Sequence, residues 1–243
     1  MRALRILLIV VVILGGLFVA ADRLAVNFAE GEVADRLRTS EGLAGTPEVS
    51  INGFPFLTQV AGGTLDDVEV GIQDYEAAAG DGERIRIDDL RAHMRGVEFS
   101  GDFGSATAAS ATGTATIAYD ELLKASKSEP TQVAPGITAR VVSLADGGNG
   151  KIKVGLEIDA PVIGTEQLSV LSTVGVKGDT VEVRTDSLPD VAGLNLAENA
   201  MRETTDFQQA IDDLPGGIQL DKVEAAPNGL EISVKGSNVR LAG

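Results

Sequence analysis

The sequence predicts an α+β fold in which a curved, mainly antiparallel sheet wraps around a long N-terminal helix. Two observations predict it. Near the N-terminus apolar residues recur about every fourth position, and from Val49 onward they recur at every second one. Aromatic residues make up only 4% of the chain, so small aliphatic side chains build the interior and strands can curl tightly over it.

The first element is an export segment. Arg2 and Arg5 precede an unbroken apolar run from Ile6 to Ala21, which Asp22 and Arg23 end. As a helix this run of 16 residues reaches roughly 24 Å, short of the ~30 Å hydrocarbon core of a bilayer. Val19-Ala20-Ala21 offers small residues for a signal peptidase, whereas Leu24, Ala25 and Val26 prolong the apolar character as an uncleaved anchor would. Residues 1–21 are therefore a signal peptide or an N-terminal membrane anchor, and residues 22–243 form a single domain. That domain lies on the extracytoplasmic side of the cell membrane, or is secreted to the envelope if the N-terminus is cleaved.

Leu24, Phe28, Val33 and Leu37 then mark an amphipathic helix ending near Ser40, with Phe28, Val33 and Leu37 expected against the concave face of the sheet. Strands follow at Val49 and Ile51 and at Val68, Val70 and Ile72. Ile85 and Ile87 share one parity, while Leu90, Ala92 and Met94 share the other, which calls for a bulge near Asp88-Asp89. Residues 105–118 are nearly all Ala, Thr, Ser and Gly. Tyr119 to Ser126 reads as a short helix. Ile152, Val154, Leu156 and Ile158 alternate cleanly after the Gly147-Gly148-Asn149-Gly150 turn, and Val181 and Val183 follow Lys177-Gly178-Asp179. Two short helical patterns span about Val191 to Ile211, and a hairpin turning at Pro227-Asn228-Gly229 closes the chain.

Composition narrows function. The chain has no cysteine and one histidine, which removes thiolate chemistry and multi-histidine metal sites. A net charge of −16 repels nucleic acid. His93, between Arg91 and Arg95, reads as a surface strand residue in preference to a catalytic base. The pairs Asp66-Asp67, Asp88-Asp89 and Asp212-Asp213 place neighbouring carboxylates on opposite faces of a strand, where they cannot share a cation. No metal or cofactor is called for. Asn52-Gly53-Phe54-Pro55-Phe56-Leu57 sets two of the seven phenylalanines beside a proline. These rings either plug a sheet corner or line the mouth of an apolar cavity, and spacing alone leaves both readings open.

The block from Val49 through Gly53-Phe54-Pro55-Phe56-Leu57-Thr58-Gln59, then Gly63-Thr64-Leu65-Asp66-Asp67-Val68-Glu69-Val70, resembles the LmeA-like phospholipid-binding family of actinobacterial cell envelopes. The C-terminal residues Leu214 to Ile218, Val223, Pro227, Gly229-Leu230 and Val234 are similar to that family's closing hairpin, although Gly216-Gly217 stands where an aromatic and a glycine are usual. The resemblance implies a fold similar to tubular lipid-binding modules. It also implies an exported or membrane-tethered, non-enzymatic protein whose partners are a phospholipid, with phosphoinositides in the class, and the membrane. The residues expected to face lipid are Phe54, Phe56, Leu57, Val60, Val68, Val70 and Ile72, with Phe56 the structural plug leading into a Leu57 to Val60 strand and Phe54 nearer the ligand. The alternatives are a scaffolding envelope protein that buries only its own helix and meets a protein partner, and an envelope enzyme.

Overall fold

The computed structural model describes residues 2–78, 84–101, 104–125, 129–161, 164–178, 180–186, 202, 205–210 and 217–242. Its first element, α1 (Arg2–Ser40), is one continuous helix, long and apolar enough at its N-terminal end to cross a membrane. The chain then forms β1 (Glu48–Asn52), α2 (Phe56–Gly62), β2 (Thr64–Ala78), β3 (Arg84–Phe99), β4 (Ala106–Ile117) and α3 (Tyr119–Ala125). After these come β5 (Thr131–Ala134), β6 (Ile137–Asp146), β7 (Lys151–Ala160), β8 (Gly164–Lys177), β9 (Thr180–Thr185), β10 (Phe207–Ala210), β11 (Ile218–Ala226) and β12 (Gly229–Ala242). The fold is α+β, as the periodicity predicts.

The strands form two six-stranded sheets, ordered β1-β2-β3-β4-β12-β11 and β10-β9-β8-β7-β6-β5. The pairing of β1 with β2 is antiparallel, and the second sheet is an antiparallel meander throughout. One sheet curls strongly into a half barrel. In the meander the register slips between Gln132 and Ala134 and again between Val141 and Ser143, and extra residues of this kind bend and twist a strand. Gly155 faces the second slip, and a Cβ there would run into the Ser143 hydroxyl. The Ser143 side chain thus fills the space that a side chain at position 155 would need.

The chain divides into two compact units. The first comprises Met1–Ile72, Arg91–Thr112 and Gly236–Gly243, and the second Gln73–Leu90 and Gly113–Lys235. In the second unit Ile152, Val154, Leu156 and Ile158 of β7 are all buried, together with Val133, Val170, Val174, Val181 and Val223. Tyr119 joins this core and donates its hydroxyl to the Ala226 carbonyl at 2.9 Å, which satisfies the polar end of a buried ring. The first unit has a smaller core of Val26, Ile51 and Phe56, flanked by Ala25, Ala29, Val60, Leu65 and Val68.

Several expectations are corrected. The buried face of α1 holds Asp22, Val26 and Ala34, whereas Phe28 is 76% exposed, Val33 is exposed and Leu37 only half-buried. Small residues on that face let β1 and α2 approach the helix closely, and the bulky apolar residues are left outward. Residues 57–60 are helical, not extended. Pro55 pre-sets the backbone ahead of α2, and Gly63 at φ 75° ends it with its N–H bonded back onto the helix. The unpatterned 106–117 segment is β4, held as a strand by its neighbours β3 and β12. Residues 207–210, expected in a helix, pair with β9 as strand β10. Most of the remaining Val191 to Ile211 segment, and Leu214 to Gly216, lie outside the described residues. Along β3 the exposed positions shift from Arg84 and Arg86 to Arg91 and Arg95, a change of phase in the direction that the split parity demands.

Because Leu156 is fully buried at the centre of the meander, Leu156→Ala is expected to lower unfolding stability by about 2–5 kcal/mol, read from the midpoint of a urea titration.

Candidate functional site

The segment between β1 and β2 is placed by a single carboxylate. Asp22 follows the apolar run of α1 directly and is fully buried. Its Oδ1 accepts the Leu57 N–H at 2.9 Å, and its Oδ2 accepts from Arg23 Nη2 at 2.6 Å. Leu57 lies in the first turn of α2, where amides have no partner inside the helix, and Pro55 at the cap position supplies no side-chain bond. Asp22 therefore serves as the missing cap from across the fold. A second carboxylate on the same helix, Glu30, accepts the Ile51 N–H at 2.8 Å and ties α1 to β1.

These ties sort the two phenylalanines. Phe56 is 6% exposed and packs among Val26 and Ile51, while Phe54 is 57% exposed. The Phe54 ring lies under the Arg23 guanidinium, 5.3 Å from its Cζ, and Arg23 also reaches the Gly53 carbonyl at 3.4 Å. The Phe54-Pro55 peptide is cis. Gly53 has φ 102°, and a Cβ there would meet the Gln59 side-chain nitrogen at 2.5 Å. Gln59 turns its oxygen to the Asp66 N–H at 2.7 Å, which fixes where β2 begins.

Strand β2 presents two chemically different faces. Val68, Val70 and Ile72 share one parity and are half-buried, as is Val60 of α2, and Leu57 is 37% exposed. Phe54, Leu57, Val60, Val68, Val70 and Ile72 thus keep apolar surface open, and Phe56 does not.

The opposite parity of β2 carries Asp67 and Glu69, which meet His93 of β3. His93 Nε2 lies 2.5 Å from Asp67 Oδ2 and 3.8 Å from Glu69 Oε1, and Arg95 Nε lies 3.5 Å from Asp67 Oδ2. Asn52 Nδ2 donates to Asp67 Oδ1 at 2.9 Å. Asp67, Glu69 and His93 are residue types that hold divalent cations, with ligand atoms within 4.8 Å of one another. Both Asp67 oxygens are nonetheless engaged by Asn52, His93 and Arg95, so the group is satisfied as an ion-pair network. The sequence reading weighed adjacent acids and missed this set. Its signal was the Asp-x-Glu spacing, which puts both carboxylates on one face of a strand.

The hydrogen bond from Asn52, with those of His93 and the charge of Arg95, holds the Asp67 carboxyl below its ordinary value of 3.8, against a smaller upward push from burial. A carboxyl depressed in the folded state stabilises the fold above its unfolded pKa, and that contribution is lost as pH falls through the folded value. The unfolding free energy is therefore expected to decline more steeply below pH 3.8 in the native protein than in Asp67→Asn, a difference measurable by denaturant titrations across acid pH. Phe56→Ala is expected to lose about 3–5 kcal/mol of stability. Phe54→Ala should lose no more than the roughly 0.5–1 kcal/mol of an exposed cation–π contact, and thermal melting of the two variants checks the contrast.

No curated protein and no solved structure matches the chain. A family model described as LmeA-like phospholipid-binding matches residues 20–235, a span that takes in the Asp22 junction, the Phe-Pro-Phe segment, both faces of β2 and all of the second unit. The chain belongs to the LmeA-like phospholipid-binding family.

Proposed function

We propose that this protein is a membrane-tethered phospholipid-binding protein of the cell envelope, with its folded part on the extracytoplasmic side, and that it performs no catalysis. Acyl chains lie along the open apolar residues Phe54, Leu57, Val60, Val68, Val70 and Ile72, and Phe56 holds that segment in place from below. The observation that carries the reading is the half-buried apolar row of Val68, Val70 and Ile72, backed by an ion-paired row on the same strand, in a chain of a phospholipid-binding family. The single histidine, engaged by Asp67, supports a binding role over a catalytic one.

The net charge of −16 disfavours an anionic headgroup at long range. Each buried methylene contributes about 0.8 kcal/mol, so two acyl chains outweigh that field and a phosphoinositide remains within the ligand class. Native mass spectrometry of the full chain with a lipid panel tests this. Diacyl phospholipids are expected to bind, and the deacylated glycerophosphoinositol headgroup is not; equal binding of the two overturns the acyl-chain account. Phe54→Ala should bind diacyl lipid more weakly while its melting temperature stays near that of the native protein.

A further inference from the structure

From the residues that surround α1 where its apolar run ends, we infer that Leu24, Phe28, Phe54 and Leu57 form an apolar collar that seats the first unit in the outer leaflet of the bilayer spanned by α1. The inference rests on the membrane-tethered part of the reading above.

Length gives the first argument. The run from Ile6 to Ala21 falls about 6 Å short of the hydrocarbon core, and at 1.5 Å per residue the core then extends to about residue 25. The headgroup layer adds ~5–7 Å, enough to reach the level of Phe28. Leu24 and Phe28 lie one turn apart on the side of α1 opposite Val26, and are 71% and 76% exposed. On the other flank, Phe54 stacks on Arg23 and the Leu57 amide bonds to Asp22, so both stand at the level of residues 22 and 23. Four large apolar side chains, all exposed, thus lie on two flanks of one helix within about 9 Å along its axis. Scattered exposed apolar residues need no explanation, but a contiguous set marks an interaction surface.

Charge gives the second argument. Asp22 and Arg23 sit at the depth where charge is costly. Asp22 is fully buried against Leu57 and Arg23, and Arg23 is paired with Asp22 and stacked on Phe54. The fold thereby covers the carboxylate that would oppose insertion, and leaves on the outside a guanidinium suited to lipid phosphate. The surface is continuous with the exposed apolar run of α1, so its occupant is the same bilayer. Phe54 then meets the leaflet from which the ligand is drawn.

The native chain has no tryptophan, so single substitutions act as unique fluorophores. Leu14→Trp, Phe28→Trp, Phe54→Trp and, as a reference farther along α1, Arg36→Trp are to be placed in the full chain and reconstituted into phosphatidylcholine–phosphatidylglycerol vesicles carrying bromine either near the headgroup or at mid-chain. Leu14→Trp is expected to lose intensity most strongly to mid-chain bromine. Phe28→Trp and Phe54→Trp should show blue-shifted emission and lose most of their intensity to bromine near the headgroup, while Arg36→Trp stays unquenched. If Leu14→Trp is quenched and the Phe28 and Phe54 probes behave like Arg36→Trp, the collar is wrong and the anchor stands. If Leu14→Trp is unquenched, the tether and the collar fall together, leaving lipid binding to its own assay. Blue-shifted Phe54→Trp emission without bromine quenching would assign the surface to a protein and overturn the inference.

Discussion

The burial of one carboxylate governs the N-terminal architecture. A charge removed from water is costly unless its partners are in place, so Asp22 at 0% exposure demands both the Leu57 amide and the Arg23 guanidinium. Those demands fix the path of residues 53–57. With Leu57 pinned, Phe56 enters the core beside Val26 and Ile51, and Phe54 is left outside under Arg23. Gln59 then meets Asp66 and sets the start of β2. The register of β1 against β2, with Ile51 opposite Val68, completes a chain of constraints that begins at the last turn of an apolar helix. Replacing Asp22 would disturb α2, both phenylalanines and the strand that follows.

Strand β2 turns that placement into two surfaces. Alternation puts Val68, Val70 and Ile72 on one side and Asp67 and Glu69 on the other. The polar side is closed by His93, Arg95 and Asn52, so its charges are spent on holding strands together. The apolar side is only half covered. A half-covered apolar row costs free energy in water, and on the reading proposed above acyl chains relieve that cost. The second unit carries its own core around β7.

Much of this was legible in the sequence, and the losses have definite causes. The end of α1 near Ser40, the short helix at Tyr119, the strand Ile152 to Ile158 and the closing hairpin were all readable, because each combines one strong period with a clear turn. The face of α1 was misread because the period-four rule assigns the largest apolar residues to the core. Here Leu24 and Phe28 point outward, and Ala25, Ala29 and Ala34 make the close contact. Strand β4 lacked hydrophobic contrast, and only pairing with β3 and β12 reveals it. Helix α2 was hidden because Phe56-Leu57-Thr58-Gln59-Val60 is too short to display a period, although Pro55 before it and Gly63 after it were the available signals. That Phe56 is the buried ring of the pair was anticipated from sequence, but its cause was not, since nothing local links Asp22 to Leu57 across 35 positions.

The continuity of α1 bears on whether the apolar run is removed. The amides of residues 22–25 bond to carbonyls one turn earlier, inside the run. A cut after Ala21 would strip those acceptors and put a new ammonium group at a position the fold buries completely. The first four amides of any helix need partners, and Asp22 is already committed to α2, so it could not cap its own helix without releasing Leu57. A retained run keeps every one of these bonds. The same turn that ends the apolar segment therefore anchors the fold, and the apolar helix and the Phe54 to Leu57 segment are joined through Asp22 and Arg23.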